Sequence, residues 1–162
     1  GALASGPDLC PADLAAEIEA LNAAIYPALN NGVYRAGFAT TQIAYDEAFA
    51  EVFACRDALQ VRLANDRAFL HGAGFTETDI RAFVTLVRFD VAYHGLFKCN
   101  LRRLADYPAL SAYLERVLAL PGVAATVNLD HIKQGYYSLK ALNPNEIVPR
   151  GPELPWAGRL LA

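Results

Sequence analysis

The stretch from Phe75 to Asp90 constrains the fold of this chain more than any other. Thr76 precedes Asp79 by three residues, the spacing of a capping box, in which the hydroxyl accepts the N–H of residue 79 and the carboxylate accepts that of residue 76. Phe75 before the cap and Ile80 at the fourth helical position have the spacing of a hydrophobic staple. The sequence therefore predicts that a helix begins here.

Beyond the cap, polar side chains recur along one narrow stripe of this helix. Arg81, Thr85 and Arg88 follow one another at i, i+4 and i+7, and most of the residues between them are apolar. A helix that is apolar around most of its circumference packs inside a bundle rather than on its surface. We expect this helix to be central, with its arginines paired to acids of neighbouring helices or of another domain.

Helical patterns continue on both sides of the central helix. A first amphipathic helix starts near Pro11 and is expected to end or kink near Pro27. The glycine-containing segment 31–40 has no period and is predicted to be an ordered loop, and the segment of about 41–64 is predicted to be a second long helix.

Two shorter helices are expected after the central one. Pro108 opens a helix that Pro121 and Gly122 close, and Asp130 is the predicted cap of a short helix that runs to Tyr137. We find no strand-like alternation. An all-α bundle of about five or six helices follows.

The chain divides into three parts by composition. Residues 1–9 are small and polar, which is typical of a linker, and residues 10–142 carry the helical patterns. Residues 143–162 are predicted to be an irregular tail that lies extended over the domain, because prolines forbid regular helix at positions 144, 149, 152 and 155.

Composition excludes several classes of protein. A chain of 162 residues with 54% hydrophobic residues is long enough for a single core. A formal charge of −3 argues against nucleic acid as a partner, and no apolar run approaches the ~20 residues that span a membrane. Three widely spaced cysteines indicate reduced thiols, so a cytoplasmic location is expected.

Several blocks of sequence together resemble one known family. They are residues 30–42, 87–90, 97–103 and 128–133, and they look like the C-terminal domain of the glutathionyl-hydroquinone reductases, the Xi-class glutathione transferases. The capping box at Thr76 similarly resembles the folding signal of the central helix in glutathione transferases. The resemblance runs from about residue 8 to residue 152, and it implies a glutathione-transferase C-terminal-like helical fold.

The resemblance also implies an activity that is shared between two domains. Members of this family carry an upstream thioredoxin-like domain that binds glutathione and holds the catalytic cysteine, and no such segment is present in these residues. The resemblance therefore implies glutathione as co-substrate, small aromatic glutathione conjugates as substrates, and a homodimer. No catalytic residue is expected in this chain, which alone is expected to be inactive. The lack of Met and the start at Gly1 favour a domain taken from a longer protein.

Tyrosines are the site residues that the resemblance implies. The positions that match the family's aromatic pocket are Tyr34, Tyr93 and Tyr136, and whether Tyr136 or Tyr137 points inward is left open. A neutral phenol can donate a hydrogen bond to a hydroquinone oxygen while its ring packs on the substrate. The alternative for each is a half-buried core tyrosine with its hydroxyl at the rim.

Other functions have weaker support in the sequence. Cys99 lies among basic residues, which would suit a thiol sensor, although a buried core cysteine is favoured. His71, His94 and His131 do not have the spacing of a ligand pair, so no metal site is expected. A stand-alone protein-interaction module without catalysis is the alternative to the enzyme.

Overall fold

The computed structural model describes residues 6–65 and 67–160, so part of the predicted linker and the last two residues of the predicted tail lie outside the described residues. The described part contains six α-helices and, apart from one isolated bridge between Phe69 and Gly72, no strand pairing. The helices are α1 (Ala15–Ile25), α2 (Gly32–Gly37), α3 (Gln42–Leu63), α4 (Glu77–Arg88), α5 (Pro108–Leu118) and α6 (Leu129–Tyr137). The all-α prediction is confirmed.

Helix α1 ends at Ile25, which agrees with the end or kink expected near Pro27, although the chain continues directly into a wider helical turn. A π-helical turn, Tyr26–Asn30, follows α1 and is closed by the Asn31 N–H, which donates to the Tyr26 carbonyl at 2.8 Å. Pro27 stands at the start of this turn, where its missing N–H costs little.

The loop expected over residues 31–40 is also wrong in part, because residues 32–37 form helix α2. This helix packs closely on α3, and a Cβ placed on Gly32 would lie 2.9 Å from a methyl carbon of Val52. The lack of a side chain at Gly32 therefore lets the two backbones approach each other.

Helix α4 begins where the capping box predicts and packs against α1 and α5. Its buried face carries Ala82, Phe83, Leu86 and Val87. A second π-helical turn, Phe89–Tyr93, extends it, and the His94 N–H donates to the Phe89 carbonyl at 2.8 Å. Wide turns of this kind often occur at functional sites.

Helix α6 has a different cap from the one expected. The Asn128 side chain, not that of Asp130, accepts the His131 N–H at 2.9 Å, so the helix begins at Leu129. Both residues are of a capping type, and the position of the extended backbone at Asn128 decides between them.

The buried apolar residues form two clusters. The larger one lies between α1, α3, α4 and α5. The smaller one is rich in aromatic rings and joins α2 and α3 to residues 89–99. The tail packs on the domain through Trp156, which is 4% exposed and belongs to the larger cluster. A short 3₁₀ turn, Ala157–Leu160, follows.

Candidate functional site

The capping box at the start of α4 is present, with Asp79 as its stronger half. Asp79 Oδ2 accepts the Thr76 N–H at 2.8 Å and the Thr76 hydroxyl at 3.0 Å, whereas the reciprocal contact from Thr76 is looser. Phe75 packs edge-on against Phe69, with ring centroids 5.4 Å apart, and Ile80 is exposed. A staple contact between Phe75 and Ile80 stays a prediction.

The three tyrosines named from the sequence meet in one place. The hydroxyl oxygen of Tyr136 lies 2.6 Å from that of Tyr34 and 2.6 Å from that of Tyr93. The Tyr34 and Tyr93 oxygens are 3.5 Å apart. We call these residues the tyrosine cluster. Its members differ in exposure, because Tyr93 is buried at the base and Tyr34 stands 39% exposed at the rim.

Each tyrosine comes from a different helical element. Tyr34 lies on α2, Tyr93 closes the π-helical turn after α4, and Tyr136 is in the last turn of α6. Tyr137 points elsewhere: its hydroxyl oxygen would lie 3.2 Å from a Cβ placed on Gly95. The structure therefore puts Tyr136, rather than Tyr137, in the tyrosine cluster.

Phe97 supports all three tyrosines from below. The centroid of its ring lies 5.3 Å from that of Tyr34, 5.2 Å from that of Tyr93 and 5.8 Å from that of Tyr136. Phe97 is fully buried. Gly37 of α2 touches the same ring, since a Cβ on Gly37 would lie 2.4 Å from Phe97 Cγ. This aromatic support was not identified as a site element from the sequence, although Phe89, Tyr93 and Phe97 recur at intervals of four.

The tyrosine cluster forms one wall of an open cavity of about 460 Å³. The polar stripe of α4 forms another wall, so Arg81, Thr85 and Arg88 face the cavity. Asn30 closes the end of this stripe by donating to the Thr85 hydroxyl at 2.6 Å and to the Arg81 carbonyl at 2.7 Å. The remaining lining residues are Tyr26 and Val84.

The charges around the cavity are unbalanced. Its lining, as described, contains two arginines and no carboxylate. Arg81 pairs with Glu77 on its own helix at 3.7 Å, and Arg88 donates to the Val84 carbonyl. The cavity therefore favours an anion or a group that becomes negative. The expected pairing with acids of neighbouring helices is not found within the described residues, because the Arg81 partner lies on α4 itself.

Two phenols of the cluster, those of Tyr93 and Tyr136, are held in their neutral form. Burial and the hydrogen bond with Tyr34 raise the pKa of Tyr136 to about 12. Burial and the bonds to Tyr136 and Tyr34 also raise the pKa of Tyr93 above its ordinary value. Both phenols are protonated at neutral pH and can act as hydrogen-bond donors.

The structure gives the other chemistry-bearing residues structural positions. Cys99 is fully buried, and burial raises the pKa of its thiol to about 12 despite the opposing influence of Arg56 and Lys98. His71 shares a hydrogen bond of 3.1 Å with the Thr78 hydroxyl. Over residues 6–65 and 67–160, no three metal-binding side chains form a group. No helix in those ranges is long and apolar enough to cross a membrane.

Sequence reasoning missed several residues of the cavity. Tyr26 and Asn30 lie on the π-helical turn after α1, in a segment that was expected to be a helix break. Asn30 begins one of the blocks that carry the family resemblance, but no pattern marked it as a cavity residue. Arg88 was named in the polar stripe and lies in a resembling block, but not as a site residue. The stripe was a usable signal, because a polar face on a central helix needs either partners or a cavity.

Comparison with known proteins identifies the fold family. Residues 42–116 match the family model of the glutathione S-transferase C-terminal domain. The chain is 52% identical over 155 residues to glutathionyl-hydroquinone reductase PcpF of Sphingobium chlorophenolicum, covering 95% of this chain and 49% of that protein. It is 47% identical over 150 residues to glutathionyl-hydroquinone reductase YqjG of Escherichia coli, covering 92% and 45%.

Solved structures agree with these relatives. Glutathione-bound YqjG from Escherichia coli superposes with a TM-score of 0.92 at 44% identity, covering 98% of this chain and 53% of that one. The glutathione S-transferase Xi from Phanerochaete chrysosporium superposes with a TM-score of 0.87 at 44% identity, covering 90% and 47%. The chain spans about half the length of the curated relatives it matches. The resemblance drawn from the sequence is confirmed: residues 42–116 match the glutathione S-transferase C-terminal domain, and the chain superposes on a glutathione S-transferase of the Xi class.

Proposed function

We propose that this chain is the hydroquinone-binding part of a glutathione-dependent reductase, which cleaves glutathionyl-hydroquinones to hydroquinone and oxidised glutathione. The observation that carries the proposal is the meeting of Tyr34, Tyr93 and Tyr136 hydroxyls beside an open cavity, with two oxygen–oxygen distances of 2.6 Å. The names of the relatives PcpF and YqjG support the same reaction.

The hydrogen bonds of the tyrosine cluster leave a donor for a ligand. Three hydroxyls carry three protons, and the two short bonds within the cluster use two of them. The third pair of oxygens is 3.5 Å apart, at the limit of a hydrogen bond. One phenolic proton is therefore left for an oxygen of the substrate ring, while the exposed ring of Tyr34 offers a packing surface.

The arginines suit the charge that the reaction creates. When the bond between sulfur and the ring carbon breaks in the keto tautomer of the conjugate, its electron pair enters the ring as an enolate. Negative charge then develops on the neighbouring ring oxygen, which takes up a proton to give the hydroquinone. Hydrogen-bond donors and positive charge that are already in position stabilise such a transition state. Arg88 lines the same cavity as the tyrosine cluster and acts in the direction that lowers the pKa of Tyr136, against the net rise.

The sulfur chemistry belongs to a part of the protein outside this chain. In this proposal a thioredoxin-like domain binds glutathione and supplies a cysteine thiolate, which attacks the conjugate's sulfur and forms a mixed disulfide as the hydroquinone leaves. A second glutathione then attacks that disulfide, which releases oxidised glutathione and restores the thiolate. We propose that the protein acts as a homodimer on small aromatic conjugates, and that the 162-residue chain alone has no reductase activity.

The test replaces the phenols one at a time in the protein that contains both domains. We expect Tyr34→Phe and Tyr136→Phe each to lower kcat/KM on a glutathionyl-hydroquinone by about tenfold or more, because each removes a donor near the developing charge. Tyr26→Phe is the matched control, since Tyr26 lines the same cavity outside the cluster. Unchanged kinetics in both cluster variants would refute the assignment.

A further inference from the structure

A second hollow of about 440 Å³ adjoins the first cavity. The two share Tyr34, Arg88 and Tyr136, so these three side chains form a partition with open space on both sides. Each volume falls within the range of roughly 300–1,000 Å³ that is usual for small-molecule sites. A ligand bound at the partition can therefore extend in two directions.

The second hollow differs chemically from the first. Its own walls come from α6 and the residues just after it: Ile132, Gly135 and Leu139, together with His131. Two of these side chains are branched and apolar, and no carboxylate lines the hollow in the described part of the chain. This lining suits the carbon atoms of a ring substituent better than a second polar head group.

Gly135 keeps this hollow open. It lies within α6, and a Cβ added there would meet no heavy atom within 4 Å. Glycine inside a helix is less favourable than alanine, so it is not there to stabilise α6. A larger side chain at this position would stand in open space at the edge of the hollow.

We infer that the second hollow is a subsite for an apolar ring substituent, such as a fused second ring, and that Gly135 sets the size of substituent it admits. This inference rests on the proposed function, because it assumes that the tyrosine cluster holds the hydroxyl of an aromatic ligand. The substrate class becomes hydroquinone conjugates with a bulky apolar group on the ring. The hydroquinone ring occupies the first cavity, and its substituent extends past Tyr34 and Tyr136 into the second hollow.

The experiment compares two stable probes, phenol and 2-naphthol, on the 162-residue chain by titration of its amide NMR spectrum. We expect Gly135→Leu to weaken 2-naphthol binding by at least fivefold and to change phenol binding by less than twofold. Gln134→Leu is the matched control, because it adds the same side chain to the neighbouring exposed position of α6, which lines neither cavity. Gly135→Ala favours the helix and adds a smaller side chain, so we expect it to weaken 2-naphthol binding less than Gly135→Leu does.

The outcomes separate this inference from the proposed function. If phenol shifts the amide signals around the tyrosine cluster but Gly135→Leu changes the affinities for phenol and 2-naphthol equally, the subsite is refuted and the proposed function stands. If neither probe perturbs the tyrosine cluster in the unmodified chain, the proposed ligand site fails and the subsite fails with it. Selective loss of 2-naphthol in Gly135→Leu, with no loss in Gln134→Leu, supports both.

Discussion

The Tyr113 hydroxyl donates a hydrogen bond of 2.9 Å to Asp79 Oδ1 and so ties α5 to the first turn of α4. The same oxygen accepts the Leu70 N–H at 2.9 Å, and the other carboxylate oxygen accepts the Thr76 N–H and hydroxyl. Asp79 is fully buried. One carboxylate therefore caps a helix and joins three separate segments of the chain.

Replacement of Asp79 should be among the most destabilising changes in the domain. Asp79→Ala leaves buried donors without an acceptor, and each such donor costs about 1–3 kcal/mol, so we expect the free energy of unfolding to fall by at least about 3 kcal/mol. Asp106→Ala is the control, because Asp106 makes the same kind of box with Arg103 at an exposed turn. Urea unfolding measures both, and equal losses would contradict the central role of Asp79.

Alkaline pH should weaken the fold through Tyr113. Burial and the nearby Asp79 raise the pKa of this phenol well above its ordinary value of 10.0. Below about pH 10 the phenol is protonated in both states; above it, the unfolded chain loses the proton while the folded chain keeps it, so unfolding becomes more favourable. One such group contributes a slope of about 1.4 kcal/mol per pH unit.

The measurement compares slopes rather than absolute stabilities. Urea unfolding is measured for the unmodified chain and for Tyr113→Phe between pH 9 and about pH 11. The variant loses a hydrogen bond at every pH, which lowers its stability throughout, so only the difference in slope reports the ionisation of Tyr113. We expect a shallower decline in the variant. Identical slopes would show that Tyr113 does not retain its proton in the fold.

Gly37 should control the geometry of the site through Phe97. An alanine Cβ would lie 2.4 Å from Phe97 Cγ, so the ring must move, and the three tyrosines that pack on it must move too. We expect Gly37→Ala to cost about 1–3 kcal/mol of unfolding free energy and to weaken phenol binding. Gly74→Ala, which meets no heavy atom within 4 Å, is the control. Unchanged binding and stability in Gly37→Ala would refute the coupling.

The three cysteines should react with iodoacetamide at very different rates. Cys10 is exposed, whereas Cys99 is buried with its thiol pKa raised to about 12 and Cys55 is half-buried with its thiol pKa raised to about 11, in both cases by burial. At neutral pH we expect mass spectrometry of native protein to find Cys10 labelled first and Cys99 only after denaturation. Rapid native labelling of Cys99 would restore the hypothesis of a thiol sensor.

Local signals in the sequence predicted the helices well where a cap or a proline marked them. The starts of α4 and α5 follow from Thr76 and Pro108, because capping depends only on neighbouring residues. The sequence predicted an end or kink after α1 but not the π-helical turn that follows it. The prediction failed at α2, where Gly32 is helical because α2 lies against Val52 of α3. A contact between separate helices leaves no local pattern, so propensity alone predicts a loop.

The candidate site divides in the same way. Tyr34, Tyr93 and Tyr136 were named through a family resemblance, but they are separated by 59 and 43 positions, and only the packing of three helical elements around Phe97 brings their hydroxyls together. Arg56 is a further example: no sequence pattern predicts that a fully buried guanidinium will lie 3.7 Å from the ring centroid of Phe89.

The amino-acid order alone determined that this chain is helical, where its central helix begins, and which family it resembles. Those properties depend on spacing and on short-range hydrogen bonds, which can be recognised within a few residues. The tertiary structure alone decided which phenols are hydrogen-bonded to one another and that Tyr136 rather than Tyr137 joins them. It also decided that a second hollow opens beside Gly135. Those properties depend on distances between residues that are far apart in the chain, and only the packed core sets them.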